Sequence, residues 1–376
     1  MRIIINTATI HLGGALQVAI NIIKNSFLQS SSEIYYISNR AVYDACPTDI
    51  SKTLIVDQSP ASILRLKLKR QIKSFANSLN PDIIYSVGAP SYINFKQKEV
   101  LRLTNPWIIN SLDSSVYQIY NFRERLLMKL KVIIQRFYLV NAIYYITQTN
   151  DAKDKIVSNL KKCADNVFVV ENTFSLTFKE YIGKNFARNY DSTINVLSIA
   201  APYPHKNLLL LVKIAKLLKE SNDHKFQFFI TYPVEEFMHS ALYKMIKKNN
   251  VEKYFTNLGK VSLSDLPDIY KKTHILLLPT LLEVFSASLL EAMVFNLPII
   301  TTEFSFNTEV CGNGALYLKN PFDGEEALDK LQKLMNKSFR DELLEKSRKN
   351  FEEKITWENV YDKHFKILQN IYNSDN

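Results

Sequence analysis

Two acidic residues eight positions apart, Glu283 and Glu291, lie in the segment Pro279-Thr-Leu-Leu-Glu-Val-Phe-Ser-Ala-Ser-Leu-Leu-Glu-Ala-Met-Val-Phe-Asn-Leu-Pro298. The apolar run ending at Leu278 reads as a strand, a helix opens near Ser286–Ser288, and Pro298 begins the next strand. That order leaves the backbone N–H groups of Phe285, Ser286 and Ala287 without intrahelical acceptors, at the positive end of a helix dipole, where phosphate binds. A carboxylate accepts two hydrogen bonds and a vicinal diol offers two donors, so Glu283 and Glu291 could flank a bound sugar nucleotide. Ser288-x-x-Glu291 is equally the spacing of a capping box, in which the glutamate only satisfies an orphan N–H. Spacing alone leaves both open.

A second loop, Ala201-Pro-Tyr-Pro-His-Lys-Asn207, follows the apolar run Ile194–Ile199 and opens a helical stretch from Leu208 to Lys219. Lys206 there could neutralise a departing diphosphate, although a lysine at a helix start is more often a solvated charge. Gly13 and Gly14 follow the first apolar run, Arg2–Asn6, in a chain with only eight glycines. At a helix start they allow close backbone approach to a ligand, but no third glycine completes a dinucleotide fingerprint. Asn257-Leu-Gly-Lys-Val-Ser262 is a turn at another strand end.

These loops need a scaffold of strands alternating with helices. In the first half the apolar runs are Arg2–Asn6, Glu33–Ser38, Thr53–Asp57, Asp82–Val87, Ala142–Thr147 and Val167–Val170. In the second they are Ile194–Ile199, Phe226–Thr231, Tyr254–Leu258, His274–Leu278 and Pro298–Thr302. The alternation predicts an α/β chain with parallel sheets covered on both faces. The expected organisation is a domain at 1–178, a linker at 179–192, a second domain at 193–350, and a C-terminal helix at 351–376 that crosses back to the first domain. Ligands of such sheets bind beyond the carboxyl ends of the strands.

The chain has 376 residues, 47% apolar and 22% charged, which fits two folded domains and argues against disorder. Cys46, Cys163 and Cys311 are widely spaced, so neither a disulfide framework nor a zinc site is expected. No run approaches the ~18 apolar residues of a spanning helix, and the first residues lack the pattern of a signal peptide, so a cytoplasmic location is expected. The net charge of +10 points to an anionic partner: a nucleotide diphosphate, a membrane surface or nucleic acid. No nucleic-acid-reading motif accompanies the charge.

The segment around Glu283 resembles the signature of retaining glycosyltransferase family 4, whose members share the GT-B fold of two Rossmann-like domains facing across a cleft. Glu283, Phe285, Glu291, Ala292, Met293 and Pro298 fall on that pattern. The resemblance implies that Glu283 holds the donor sugar, Phe285, Ser286 and Ala287 the sugar and diphosphate, and Glu291 the ribose hydroxyls. Lys206 falls on the family's diphosphate lysine, and His205 beside it, a further donor contact, or another cation would stand in for the arginine that the family carries at the position of Ala201. Gly259, Lys260 and Val261 match the turn that touches the base, and Gly13 and Gly14 the glycine loop of the first domain. The family's glycines are replaced by Val284, Ser286 and Asn296, and its companion arginine by Ala201. Asn296 suits a left-handed helix end.

The implied activity is transfer of a sugar, with retention, from a nucleotide-diphosphate sugar to a glycan or lipid-linked acceptor in bacterial cell-surface polysaccharide synthesis. No metal or cofactor beyond the donor is implied. Asp113 is a candidate on the acceptor side, although an aspartate among serines is more often a turn residue. Two basic stretches, 62–78 and 123–136, interleave cations with leucine and isoleucine and could lie on an anionic membrane or be ordinary solvated helix faces. An epimerase of the same fold and a non-catalytic sugar-nucleotide-binding or scaffold protein are the alternatives.

Overall fold

Short runs rich in Ile, Val, Leu, Phe and Tyr form two all-parallel sheets, and the helices between them are the crossovers that parallel pairing requires. The computed structural model describes all residues except 12, 30, 63, 113, 173, 175, 354–356, 375 and 376. The expectation placed on Asp113 therefore lies outside the described residues. The chain divides into two compact units, 1–172 with 356–376, and 173–355.

In unit 1 the strands are β1 (Arg2–Asn6), β2 (Glu33–Asn39), β3 (Thr53–Val56), β4 (Ile83–Ser86), β5 (Lys98–Arg102), β6 (Tyr144–Thr147) and β7 (Val167–Val169), in the order β3-β2-β1-β4-β5-β6-β7. Ile3, Ile4 and Ile5 are fully buried in consecutive positions, as a strand covered on both faces requires. The helix Trp357–Asn373 belongs to this unit and packs on the Gly13–Ser26 helix. His364 Nδ1 meets Tyr85 Oη at 2.7 Å, and Asn25 Nδ2 donates to Asp362 at 3.3 Å.

In unit 2 the strands are β8 (Ile194–Ser198), β9 (Phe226–Ile230), β10 (Phe255–Asn257), β11 (Ile275–Leu278), β12 (Ile299–Thr302) and β13 (Leu316–Leu318), in the order β10-β9-β8-β11-β12-β13. Its core joins Val196, Phe228 and Leu277 from the sheet to Leu211, Ile214 and Leu218 of the Leu209–Glu220 helix. Strand order reverses beside β1 in unit 1 and beside β8 in unit 2, so each sheet has a crevice there, between the loops leaving β1 and β4 or β8 and β11.

Three departures from the sequence reading have physical causes. β5 was not expected, because a central strand reading Lys-Glu-Val-Leu-Arg lacks an apolar run. Its Glu99 is accommodated by a 2.5 Å bond from Ser86 Oγ, which itself accepts from Asn6. β13 is only three residues long. The stretch read as a linker is packed chain within unit 2. Tyr190 Oη donates to His274 O at 3.0 Å and the Arg188 guanidinium to the carbonyls of Thr273 at 2.6 Å and Phe295 at 2.8 Å, while Phe178, assigned by sequence to the first domain, is fully buried in unit 2.

Close backbone packing fixes the far side of unit 2. A Cβ on Gly314 would sit 2.5 Å from Ser347 Cα, inside the Lys337–Glu352 helix, where no side-chain rotation relieves it. Gly314→Ala should therefore cost about 1–3 kcal/mol, read as a lower urea midpoint. An unchanged midpoint would mean that the helix does not pack against this loop.

Candidate functional site

The crevice of unit 2 is built from the loops that leave β8 and β11. After β8 the chain makes one tight turn, Pro204–Lys206, and Asn207 takes a left-handed conformation with φ of 55° before the next helix. Asn207 Nδ2 donates to Pro321 O at 2.6 Å and holds the turn in place. The second loop is tied to the first through its backbone, since Leu281 N donates to His205 O at 2.8 Å. Buried hydroxyls finish the strand ends: Ser198 Oγ donates to Leu277 O at 2.6 Å and Thr302 Oγ1 to Thr280 O at 2.7 Å.

This framework brings Lys206 and Glu283 together. The Lys206 ammonium donates to Glu283 Oε1, and both side chains are largely buried, at 19% and 14% exposure. They line a cavity of about 30 Å³ with Pro279, Thr280, Ser286 and Ser288. That volume is far below the several hundred Å³ of a typical ligand pocket, so the pair is the floor of a site rather than its whole. Above it the Ala287–Val294 helix begins at Ser286, which makes no side-chain capping bond. Phe285, Ser286, Ala287 and Ser288 are only half-buried, so this helix end keeps donors available to an anion.

Glu291 does not form the capping box that its spacing allows. The helix cap is Ser286 rather than Ser288, and the Glu291 carboxyl instead accepts a 2.7 Å bond from Tyr270 Oη. Tyr270 is fully buried and stacks on Phe295, with centroids 5.1 Å apart and planes 12° from parallel. Burial pushes the Glu291 carboxyl up to about 7, against a lowering from the Tyr270 bond. Nothing in the sequence singles out Tyr270, which comes from a different helix 21 positions earlier. Asn296 has φ of 52°, the left-handed conformation expected of it.

His205 is not the second cation that Ala201 leaves wanting. Its ring is buried, stacks on Tyr203 with centroids 5.5 Å apart, and is pushed down to about 4 by burial and by the neighbouring Lys206 charge. It is neutral at neutral pH. Gly259, Lys260 and Val261 follow β10 at the sheet edge, with β9 between them and β8. Gly259 has φ of 72°, which explains the glycine by conformation alone. Gly13 and Gly14 begin the helix after β1, at the crevice of unit 1. A Cβ on Gly14 would meet no atom within 4 Å, so packing does not demand that glycine.

The raised carboxyls make stability pH-dependent. Glu291 and the buried Glu99 each hold their proton up to about pH 7 in the folded chain, against an ordinary 4.5 when unfolded. The folded state binds those protons more tightly, so this stabilisation is complete below pH 4.5 and is lost as pH rises through 7. Each group should remove on the order of 1–3 kcal/mol across that window. Glu291→Gln should flatten the decline of the urea midpoint by one group's share; identical slopes in variant and parent would show that Glu291 is ionised throughout.

Residues 184–355 match the family model for glycosyl transferases group 1. Among curated proteins, the O-antigen chain mannosyltransferase RfbU of Salmonella typhimurium is 28% identical over 56% of this chain and 53% of its own. An Escherichia coli UDP-Gal:alpha-D-GlcNAc-diphosphoundecaprenol alpha-1,3-galactosyltransferase is 31% identical over 32% of this chain and 29% of its own. The chain thus spans about half the length, or less, of these two curated relatives. Among solved structures, Anabaena HepE in complex with UDP and glucose superposes with a TM-score of 0.71 at 13% identity, covering 98% of this chain and 100% of that one. The two parallel α/β sheets are accordingly a GT-B-like fold, the fold class expected from the sequence, and the chain carries a glycosyl transferases group 1 domain at residues 184–355.

Proposed function

We propose that this chain is a retaining glycosyltransferase that moves a hexose from a nucleotide-diphosphate sugar to a glycan or lipid-linked acceptor in cell-surface polysaccharide synthesis. The observation that carries the reading is the buried Lys206–Glu283 pair at the β8/β11 crevice, beside the uncapped start of the Ala287–Val294 helix. An ammonium and free backbone N–H groups suit a diphosphate, and the carboxylate beside them suits sugar hydroxyls. The relatives named for O-antigen mannosyl transfer and for galactosyl transfer to a diphosphoundecaprenol-linked sugar support the substrate class. HepE, solved with UDP and glucose, supports the donor class.

In this reading the donor diphosphate draws the Lys206 ammonium away from Glu283. Lys206 and the N–H groups of Ser286 and Ala287 then stabilise the negative charge that grows as the glycosidic bond breaks. Glu283, released from the ammonium, accepts from donor-sugar hydroxyls and fixes the ring. Glu291, held by Tyr270, accepts from the ribose diol. His205 supports the turn and contributes no charge. The acceptor hydroxyl attacks from the face the nucleotide leaves, and a donor phosphate oxygen takes its proton, so no enzyme carboxylate needs to form a covalent intermediate. Gly259, Lys260 and Val261 would contribute contacts to the base.

Glu283→Gln preserves shape and removes charge. It should lower turnover by about a hundredfold or more in a protein that still folds, with a melting temperature lowered by the Lys206 charge left unpaired, measured with a UDP- or GDP-hexose panel and an isoprenyl-diphosphate sugar acceptor. Lys206→Met should do likewise, and pairing it with Glu283→Gln relieves the unpaired buried charge that either truncation alone leaves. Near-parental turnover in the folded Glu283→Gln protein would refute the assignment.

A further inference from the structure

The helix Phe122–Phe137 of unit 1 leaves most of its apolar side chains outward. Its start is fixed by a capping box, in which Asn121 Oδ1 accepts from Glu124 N at 3.0 Å and Glu124 Oε2 from Asn121 N at 3.2 Å. The face turned to the protein centres on the fully buried Val132, with cations and an amide around it. Gln135 donates to Tyr92 Oη at 2.9 Å, Arg136 to the carbonyls of Ile108 and Asn110, and Arg125 to Tyr117 O at 3.2 Å. The Lys129 ammonium lies 5.5 Å from the centre of the Tyr117 ring.

The opposite face is apolar and open. Phe122, Leu126, Leu127, Leu130, Ile133 and Phe137 are all at least half exposed, Phe122 at 79% and Phe137 at 73%. Val140 and Ile143 extend the patch past the helix end. A surface helix of a water-soluble domain keeps its outward face polar, and a contiguous apolar patch of this extent marks an interaction surface. The other basic stretch is ordinary: the Leu66–Leu79 helix buries Ile72 and Ala76 and turns Lys67 and Arg70 to solvent. The structure therefore separates two segments that looked alike in the sequence.

Charge decides the occupant. Glu124 is the only acid between residues 114 and 150. Arg123 and Lys131 are exposed on the same helix, and Lys96 lines a cavity of about 620 Å³ together with Phe137, Val140 and Ile143. Two copies of this chain meeting through the patch would bring cations against cations, whereas an anionic lipid interface supplies both the negative headgroups and the hydrocarbon. No described helix is long and apolar enough to cross a membrane, so attachment here is lateral. We propose that the Phe122–Phe137 helix lies in the plane of an anionic phospholipid bilayer, with its outward apolar face among the acyl chains and Arg123 and Lys131 at headgroup level. This goes beyond the transfer reaction and does not depend on it.

The test is co-sedimentation of the full chain with phosphatidylcholine vesicles with and without phosphatidylglycerol. The parent should partition onto the anionic vesicles about tenfold or more better than onto the neutral ones. Leu126→Gln with Leu130→Gln and Ile133→Gln should lose about tenfold or more of that partitioning, with an unchanged melting temperature because all three side chains are exposed. A Leu130→Trp chain should show tryptophan quenching by vesicles carrying bromine on their acyl chains, which reads insertion without disturbing the patch. Unchanged partitioning of the folded triple variant, absence of quenching, equal affinity for both vesicle types, or a lipid-free dimer abolished by the triple variant would each overturn the proposal.

Discussion

A parallel sheet covered on both faces has no room for chemistry on those faces. Ile3–Ile5 of β1 and Leu276–Leu277 of β11 are fully buried, and any ligand group must meet the protein at the strand ends. Where strand order reverses, the outgoing loops turn to opposite sides and leave a crevice. Unit 2 has this reversal beside β8, and both loops flanking the crevice carry the charged residues singled out by sequence. One backbone bond, from Leu281 N to His205 O, joins those loops and places an ammonium on a carboxylate.

The ionisation pattern sharpens that site. His205 is held neutral by burial, and Glu291 holds its proton to about pH 7. Near neutrality His205 thus carries no charge and Glu291 only a partial one, and the strong local charges are Lys206 and Glu283. A largely buried ion pair contributes little net stability, because desolvation offsets most of the attraction. Such a pair is instead well placed for exchange: a ligand offering an anion to the ammonium and hydroxyls to the carboxylate replaces one satisfied arrangement by another.

Much of this was legible in the sequence, for identifiable reasons. Of the strands flanking the crevice, β11 is an unbroken apolar run and β8 is apolar except at Asn195 and Ser198, and proline, glycine and asparagine mark the turns, as Asn207 and Asn296 confirm by their positive φ. Strand β5 was not legible, because its charges are neutralised or bonded only through tertiary contacts such as Ser86 to Glu99. The role of Tyr270 was hidden for the same reason: a hydroxyl reaching Glu291 from another helix leaves no spacing to read. The supposed linker misled because its polar composition conceals Arg188 and Tyr190, whose partners are distant backbone carbonyls.

The Phe122–Phe137 helix marks the deepest limit of pattern reading. Periodicity reports that a helix has an apolar side and a polar side, but not which one faces the protein. The default assumption, apolar inward, holds when the neighbours offer hydrocarbon. Here Val132 alone is fully buried among the apolar side chains of the helix, and around it the neighbours offer carbonyl oxygens of Ile108, Asn110 and Tyr117 and a phenol from Tyr92, which guanidinium and amide groups satisfy and leucine cannot. Burying those donors satisfies polar groups that would otherwise be orphaned, and the geometry of one helix then forces the leucines outward. The exposed patch is thus a consequence of what the helix must bond on its inner side, not a failure of packing.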